Sequence, residues 1–135
     1  MIEQWQPASS SSSGPDASTL GRLISVIPAE LSAGLQLTQN QQDASDLQQA
    51  KLWTQLDESQ WANVWSQLSL QQVWQVAVWY VCAEQQFDGW HCGNRNPAIW
   101  AFRWLKQQGQ AASKDSIRTI KSMTSNRFIP YGSVL

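Results

Sequence analysis

The chain of 135 residues predicts an all-α protein: a compact single-domain bundle of five or six helices around a central buried helix at about 69–86, with an extended C-terminal tail. Three observations carry that expectation. Apolar residues recur at helical spacing in segment after segment. Several of these segments begin with a residue pair that can cap a helix. No run alternates in the way a half-buried strand requires. Charged residues are only 14% of the chain, and 19 glutamines take their place; glutamine is a good helix former that solvates a surface without charge. A chain of this length buries about two thirds of its unfolded surface, enough for one core.

Taken in order, residues 1–15 are expected to form a flexible N-terminal segment, because "ASSSSSGPD" is a Ser/Gly/Pro linker with nothing to bury. Residues 16–135 are expected to form the single helical domain. Ile2 and Trp5 precede the linker and could dock back, act as a short binding segment, or do nothing. Asp16 can cap a helix whose stripe is Leu20, Leu23, Ile24 and Ile27, and Pro28 stops it or starts the next. "AELSAGLQL" reads as a short helix or an irregular packed segment, and "TQNQQ" as a loop. A helix from about Asp43 has Leu47, Ala50, Leu52, Trp53 and Leu56 as its apolar residues.

Two starts carry fuller signals. Asp57 precedes Gln60 by three, flanked by Leu56 and Trp61; Ser69 precedes Gln72 by three, flanked by Leu68 and Val73. Each matches a capping box with a hydrophobic staple. Trp61, Val64, Trp65 and Leu68 make a narrow stripe, the mark of a helix lying on a core. "VAVWYVCA" is apolar on every side, the mark of a helix inside one. Asp88-Gly89 is a helix exit and Asn96-Pro97 a helix entry. The helix from Pro97 to Gln108 puts Trp100 and Trp104 on one face, and Gly109 closes it. Ser113 opens the last helix, with Ile117, Ile120 and Thr124 on one side and Lys114, Arg118 and Lys121 on another. Pro130 and Gly132 forbid its continuation, and Phe128, Ile129 and Tyr131 suggest a tail laid across the body.

Composition narrows the function. Two cysteines make no disulfide framework, the start lacks the apolar core of a signal peptide, and the longest apolar stretch, 73–83, falls short of the roughly 20 residues that span a bilayer. The expectation is a cytoplasmic protein of bacterial style with reduced thiols and no membrane partner. Charge is lopsided: residues 1–89 carry 2 basic and 9 acidic side chains, residues 90–135 carry 7 and 1. That pattern fits an anionic partner for the C-terminal third, or attraction between the two parts within one fold.

The stretch "FDGWHCGNRNPAIW", 87–100, concentrates the reactive side chains. Cys82, Asp88, His91 and Cys92 are metal-ligand types, but their spacing lacks the paired pattern of a structural zinc site, so no metal and no cofactor is assigned. Glu84 and Asp88 read as a solvated helix edge. Cys92, ahead of a helix start and near Arg95, supports one alternative, a thiol-dependent enzyme in which His91 or Asp88 assists the thiol. A second alternative is nucleic-acid or anionic-ligand binding through Arg95, Arg103, Lys106, Lys114, Arg118, Lys121 and Arg127, with Trp100, Trp104 and Phe128 to stack on bases; the slightly acidic net charge of −1 weighs against it.

The leading expectation is a non-catalytic binding protein. Nine tryptophans exceed what a core this size requires, and tryptophan is a favoured binding anchor. If two or three lie on the surface, they mark a groove for a peptide, a partner helix or a copy of the chain itself. The expected site joins the 88–97 corner to the tail, with Asn94, Arg95 and Arg127 as polar contacts and Trp90, Phe128 and Tyr131 as apolar anchors.

Overall fold

A computed structural model describes residues 14–28, 35, 37 and 42–132. The expectations for 1–13, most of 29–41 and 133–135 lie outside the described residues. All regular structure described is helical: α1 Ala17–Ile24, α2 Ala44–Leu52, α3 Glu58–Trp65, α4 Leu70–Gln86, α5 Pro97–Gln107 and α6 Lys114–Ser122, with short 3₁₀ turns at Trp53–Gln55 and Gly93–Arg95. The all-α expectation therefore holds, and no strand occurs among the described residues. Nor is any described helix long and apolar enough to cross a membrane.

The local signals account for the boundaries. The Asp16 carboxylate accepts the Thr19 N–H at 2.8 Å and starts α1. Asp43 starts α2 by accepting from Ser45 and Asp46. Both capping boxes are closed in both directions, Asp57 with Gln60 and Ser69 with Gln72. Each satisfies donors that a helix start would otherwise leave open. The apolar residues of α2 do not share one face. The helix gives way to the 3₁₀ turn after Leu52, and the tighter winding rotates Trp53 into the core while Leu52 stays 53% exposed.

Helix α4 is the centre. Every residue from Val76 to Ala83 is buried, because α1 packs on one side of it and α5 on another. Helix α3 rests on α5, and α2 on α1. A line of aromatic contacts runs through this core. Trp53 and Tyr80 both stand edge-on to Trp61, which stacks on Trp65 with centroids 5.0 Å apart. Tyr80 meets Trp79, and Trp79 meets Phe87 and Trp90. Offset and edge-to-face pairs of this kind add to what area burial alone contributes.

Past Phe87 the chain reverses at Gly89, whose φ of +82° suits glycine. Asn96 then caps α5, with Pro97 at its first position. Helix α6 is peripheral and sends one fully buried side chain, Ile120, inward. From 127 to 131 the tail runs as turns, anchored by buried Ile129. Gly132 lies so close to α5 that a β-carbon there would sit 2.7 Å from Arg103 Nη2.

Candidate binding groove

The corner between α4 and α5 is organised by one carboxylate. Glu84 Oε2 accepts the backbone N–H groups of Cys92 at 2.6 Å and Gly93 at 3.1 Å. Its Oε1 accepts the side-chain amides of Asn96 at 2.8 Å and Asn126 at 2.9 Å. Asn126 also donates to the Gly93 carbonyl, and its own Oδ1 accepts the Phe128 N–H. Corner and tail are thereby tied to α4 by four donors that converge on a single carboxylate. The spacing of Glu84 and Asp88 suggests only a solvated edge; in space, Glu84 faces inward across the joint, while Asp88 is exposed.

The thiol of Cys92 sits in this joint. It donates to the Trp90 carbonyl at 3.1 Å. Burial, with the Glu84 charge adding to it and a hydrogen bond from Thr54 partly opposing, pushes its pKa up to about 12. A thiol so placed stays protonated, the reverse of what a nucleophile needs. Burial alone pushes Cys82 up to about 11. Among the described residues no three His, Cys, Asp or Glu side chains come close enough to hold a metal ion.

The residues expected to form a site at the corner and tail are only partly brought together. His91, Arg127 and Phe128 line a small cleft of about 190 Å³ above Glu84. Arg127 also lines a neighbouring cleft of about 260 Å³ with Lys121. Asn94 is exposed on the 3₁₀ turn. Arg95 reaches away, donating to the Gln55 carbonyl. Tyr131 lies elsewhere: its carbonyl accepts from Arg103 Nε at 3.0 Å, and the Lys106 ammonium stands 4.8 Å from its ring centroid. Trp90 is 6% exposed and packs against Trp79 and Phe87. Its ring belongs to the core, because the reversal at Gly89 folds it back onto α4.

A larger concavity lies between α3 and α5. Of the eight tryptophans among the described residues, Trp53, Trp61, Trp65, Trp79 and Trp90 are buried, while Trp74, Trp100 and Trp104 keep part of their surface in solvent. Trp100 and Trp104, one turn apart on α5, face Trp65 of α3 across a groove of about 370 Å³ whose rim includes Glu58, Ser59 and Gln107. Arg103 braces one side. Its Nη1 meets Glu58 Oε1 at 2.9 Å, its Nε holds the Tyr131 carbonyl, and its guanidinium lies 5.3 Å from the Trp100 ring centroid. The indole nitrogens of Trp65 and Trp100 are buried and have no hydrogen-bond partner among the described residues. Sequence reasoning identifies Trp100 and Trp104 as a pair but not as a groove wall, since helical spacing cannot say which face the neighbouring helix leaves uncovered. The one available signal for Arg103 is that it is the sole charge in α5 before Lys106.

Compared with known proteins, the chain matches no family model, no curated protein and no solved structure.

Proposed function

We propose that the protein is a non-catalytic peptide-binding protein and that its binding surface is the tryptophan-lined groove between α3 and α5. The observation that carries this reading is the placement of Trp100 and Trp104: partly exposed, one turn apart, and held on one helix opposite Trp65. Indoles fixed in this way offer large apolar contact at little entropic cost. The groove's volume of about 370 Å³ falls within the range usual for ligand sites, roughly 300–1,000 Å³. Arg103 stands beside the groove, its guanidinium 5.3 Å from the Trp100 ring centroid and paired with Glu58. The protonated state of Cys92 weighs against the thiol-enzyme alternative.

A random peptide library displayed on phage and selected on the full chain tests the proposal. Selected peptides should bind Trp104→Ala at least tenfold more weakly than the parent, while the urea midpoint of the variant moves little. Equal binding to parent and variant overturns the groove. Binding lost instead in Arg127→Ala moves the site to the cleft between corner and tail.

The neighbouring cleft supports a second reading, anionic-ligand binding, because Lys121 and Arg127 both line it. A short single-stranded oligonucleotide bound there should lose affinity steeply as salt rises; salt-independent binding or none removes this reading.

A further inference from the structure

The lopsided charge of the chain has two explanations, and the ion pairs decide between them. Residues 90–135 carry 7 basic and 1 acidic side chains. Among the described residues a single ion pair joins them to the acidic part of the chain, Arg103 with Glu58. Arg95 is turned to the Gln55 carbonyl and Lys106 to the ring of Tyr131. That leaves Lys114, Arg118, Lys121 and Arg127, all of them exposed. Of these, only Arg118 meets a carboxylate among the described residues, its helix neighbour Asp115 at 3.3 Å. A pair so open to water contributes little. Attraction within the fold therefore uses a small part of the basic excess, and the rest faces outward.

The four cations follow one track. Lys114, Arg118 and Lys121 stand at i, i+4 and i+7 on one flank of α6, about 10 Å from first to last at 1.5 Å per residue. Lys121 then shares the cleft of about 260 Å³ with Arg127, Thr124 and Ser125. Thr124 Oγ1 accepts the Asn126 N–H at 3.0 Å and keeps its own hydrogen to donate. Arg127 also lines the smaller cleft of about 190 Å³, where its neighbours include Phe128 and His91. The turn that carries it is pinned on both sides. Asn126 donates to Glu84 and to the Gly93 carbonyl, and the Phe128 N–H donates to Asn126. A cationic recess with hydroxyls and a recess with an aromatic wall thus meet at one arginine.

Resting on the second reading, in which Lys121 and Arg127 hold an anion, we propose that the ligand is single-stranded nucleic acid. One phosphate enters the larger cleft, its base lies against Phe128 in the smaller, and the phosphates that follow run along Arg118 and Lys114. A repeating phosphate uses a row of cations that a lone phosphate ion leaves idle. An acidic peptide would meet the cations but brings no flat ring to set against Phe128. A base in a duplex is stacked on both faces and cannot reach a ring that lines a recess. A basic track beside an aromatic platform is the arrangement that binds single strands with little regard to sequence.

The test is fluorescence anisotropy of a labelled thymidine decamer with the full chain, repeated over a range of salt concentrations. Four neutralised phosphates predict a log–log slope of about −3 for a single strand. Lys114→Ala, on the helix surface and outside both clefts, should make that slope shallower by about 0.7. Phe128→Leu, which keeps apolar bulk but loses the ring, should weaken binding at least about fivefold and leave the slope unchanged. In the parent protein the Phe128 ring protons should move upfield as the base stacks, a readout that needs no variant. An unchanged slope in Lys114→Ala, or unmoved Phe128 ring protons, overturns the inference. If Arg127→Ala still abolishes that binding, the anionic site stands without its nucleic-acid track. A duplex bound as tightly as the single strand overturns the inference as well. So does a polyglutamate decamer bound as tightly, which would make the partner of the same anionic site an acidic chain. No binding of any of these polymers ends both readings.

Discussion

The Glu84 joint and the α3–α5 groove are both places where polar atoms sit among apolar ones, and they treat those atoms in opposite ways. At the joint, one carboxylate receives four donors from three parts of the chain: the turn after Trp90, the start of α5 and the tail. At the groove, two indole N–H groups find no acceptor among the described residues. A satisfied polar site holds a structure together. An unsatisfied one keeps a cost in the folded protein. Glu84, Asn96 and Asn126 are therefore the mortar of the corner, while Asp88 and His91 stay exposed.

Breaking the joint should have the largest effect. Glu84→Ala leaves four donors without their acceptor and should destabilise the fold by about 3 kcal/mol, seen as a lower urea midpoint. Glu84→Gln keeps an acceptor oxygen but turns an amide toward other donors, and should lose roughly half as much. A Glu84→Ala protein as stable as the parent would mean that the joint is decorative and the contrast empty.

The thiol inside the joint gives a finer reading. With its pKa pushed up to about 12 by burial and the Glu84 charge, Cys92 in the native protein should react with iodoacetamide at pH 8 at least tenfold more slowly than in the urea-unfolded chain. Mass spectrometry of the labelled peptides resolves it from Cys82. Glu84→Gln removes the repelling charge and should speed the reaction. The sign for stability follows. The fold favours the neutral thiol, so this contribution is complete below the unfolded value near 9 and is lost as pH rises from there toward 12. Fast labelling in the folded parent would return the thiol to the list of possible nucleophiles.

The smallest effect is expected in the groove. Trp100→Phe removes an N–H that has no partner among the described residues and should change stability by less than about 1 kcal/mol, measured by the same urea titration. A loss as large as that of Glu84→Ala would show that the groove, too, is structural scaffolding.

Helix starts were the most legible feature of this chain. Asp16, Asp57, Ser69, Asn96 and Ser113 each cap the helix that follows, because capping depends on a side chain and a backbone N–H only two or three residues apart. The buried identity of α4 was legible for a related reason: a segment apolar on all sides has no face to give to water. The site was much less legible. Trp90, expected as an anchor, is a core ring; Arg95 and Tyr131 point to different neighbours; Arg103, a single member of a basic list, braces the tail, α3 and Trp100 together.

Sequence by itself determined where the helices begin, that they are helices, and which of them must lie inside, since these follow from contacts within one turn of the chain and from the pattern of apolar side chains. Tertiary structure decided which tryptophans face solvent, which carboxylate gathers the corner, and which donors go unpaired. Those outcomes depend on residues such as Glu84 and Asn126, or Trp65 and Trp100, that are 42 and 35 positions apart and meet only when α4 has been covered by its neighbours.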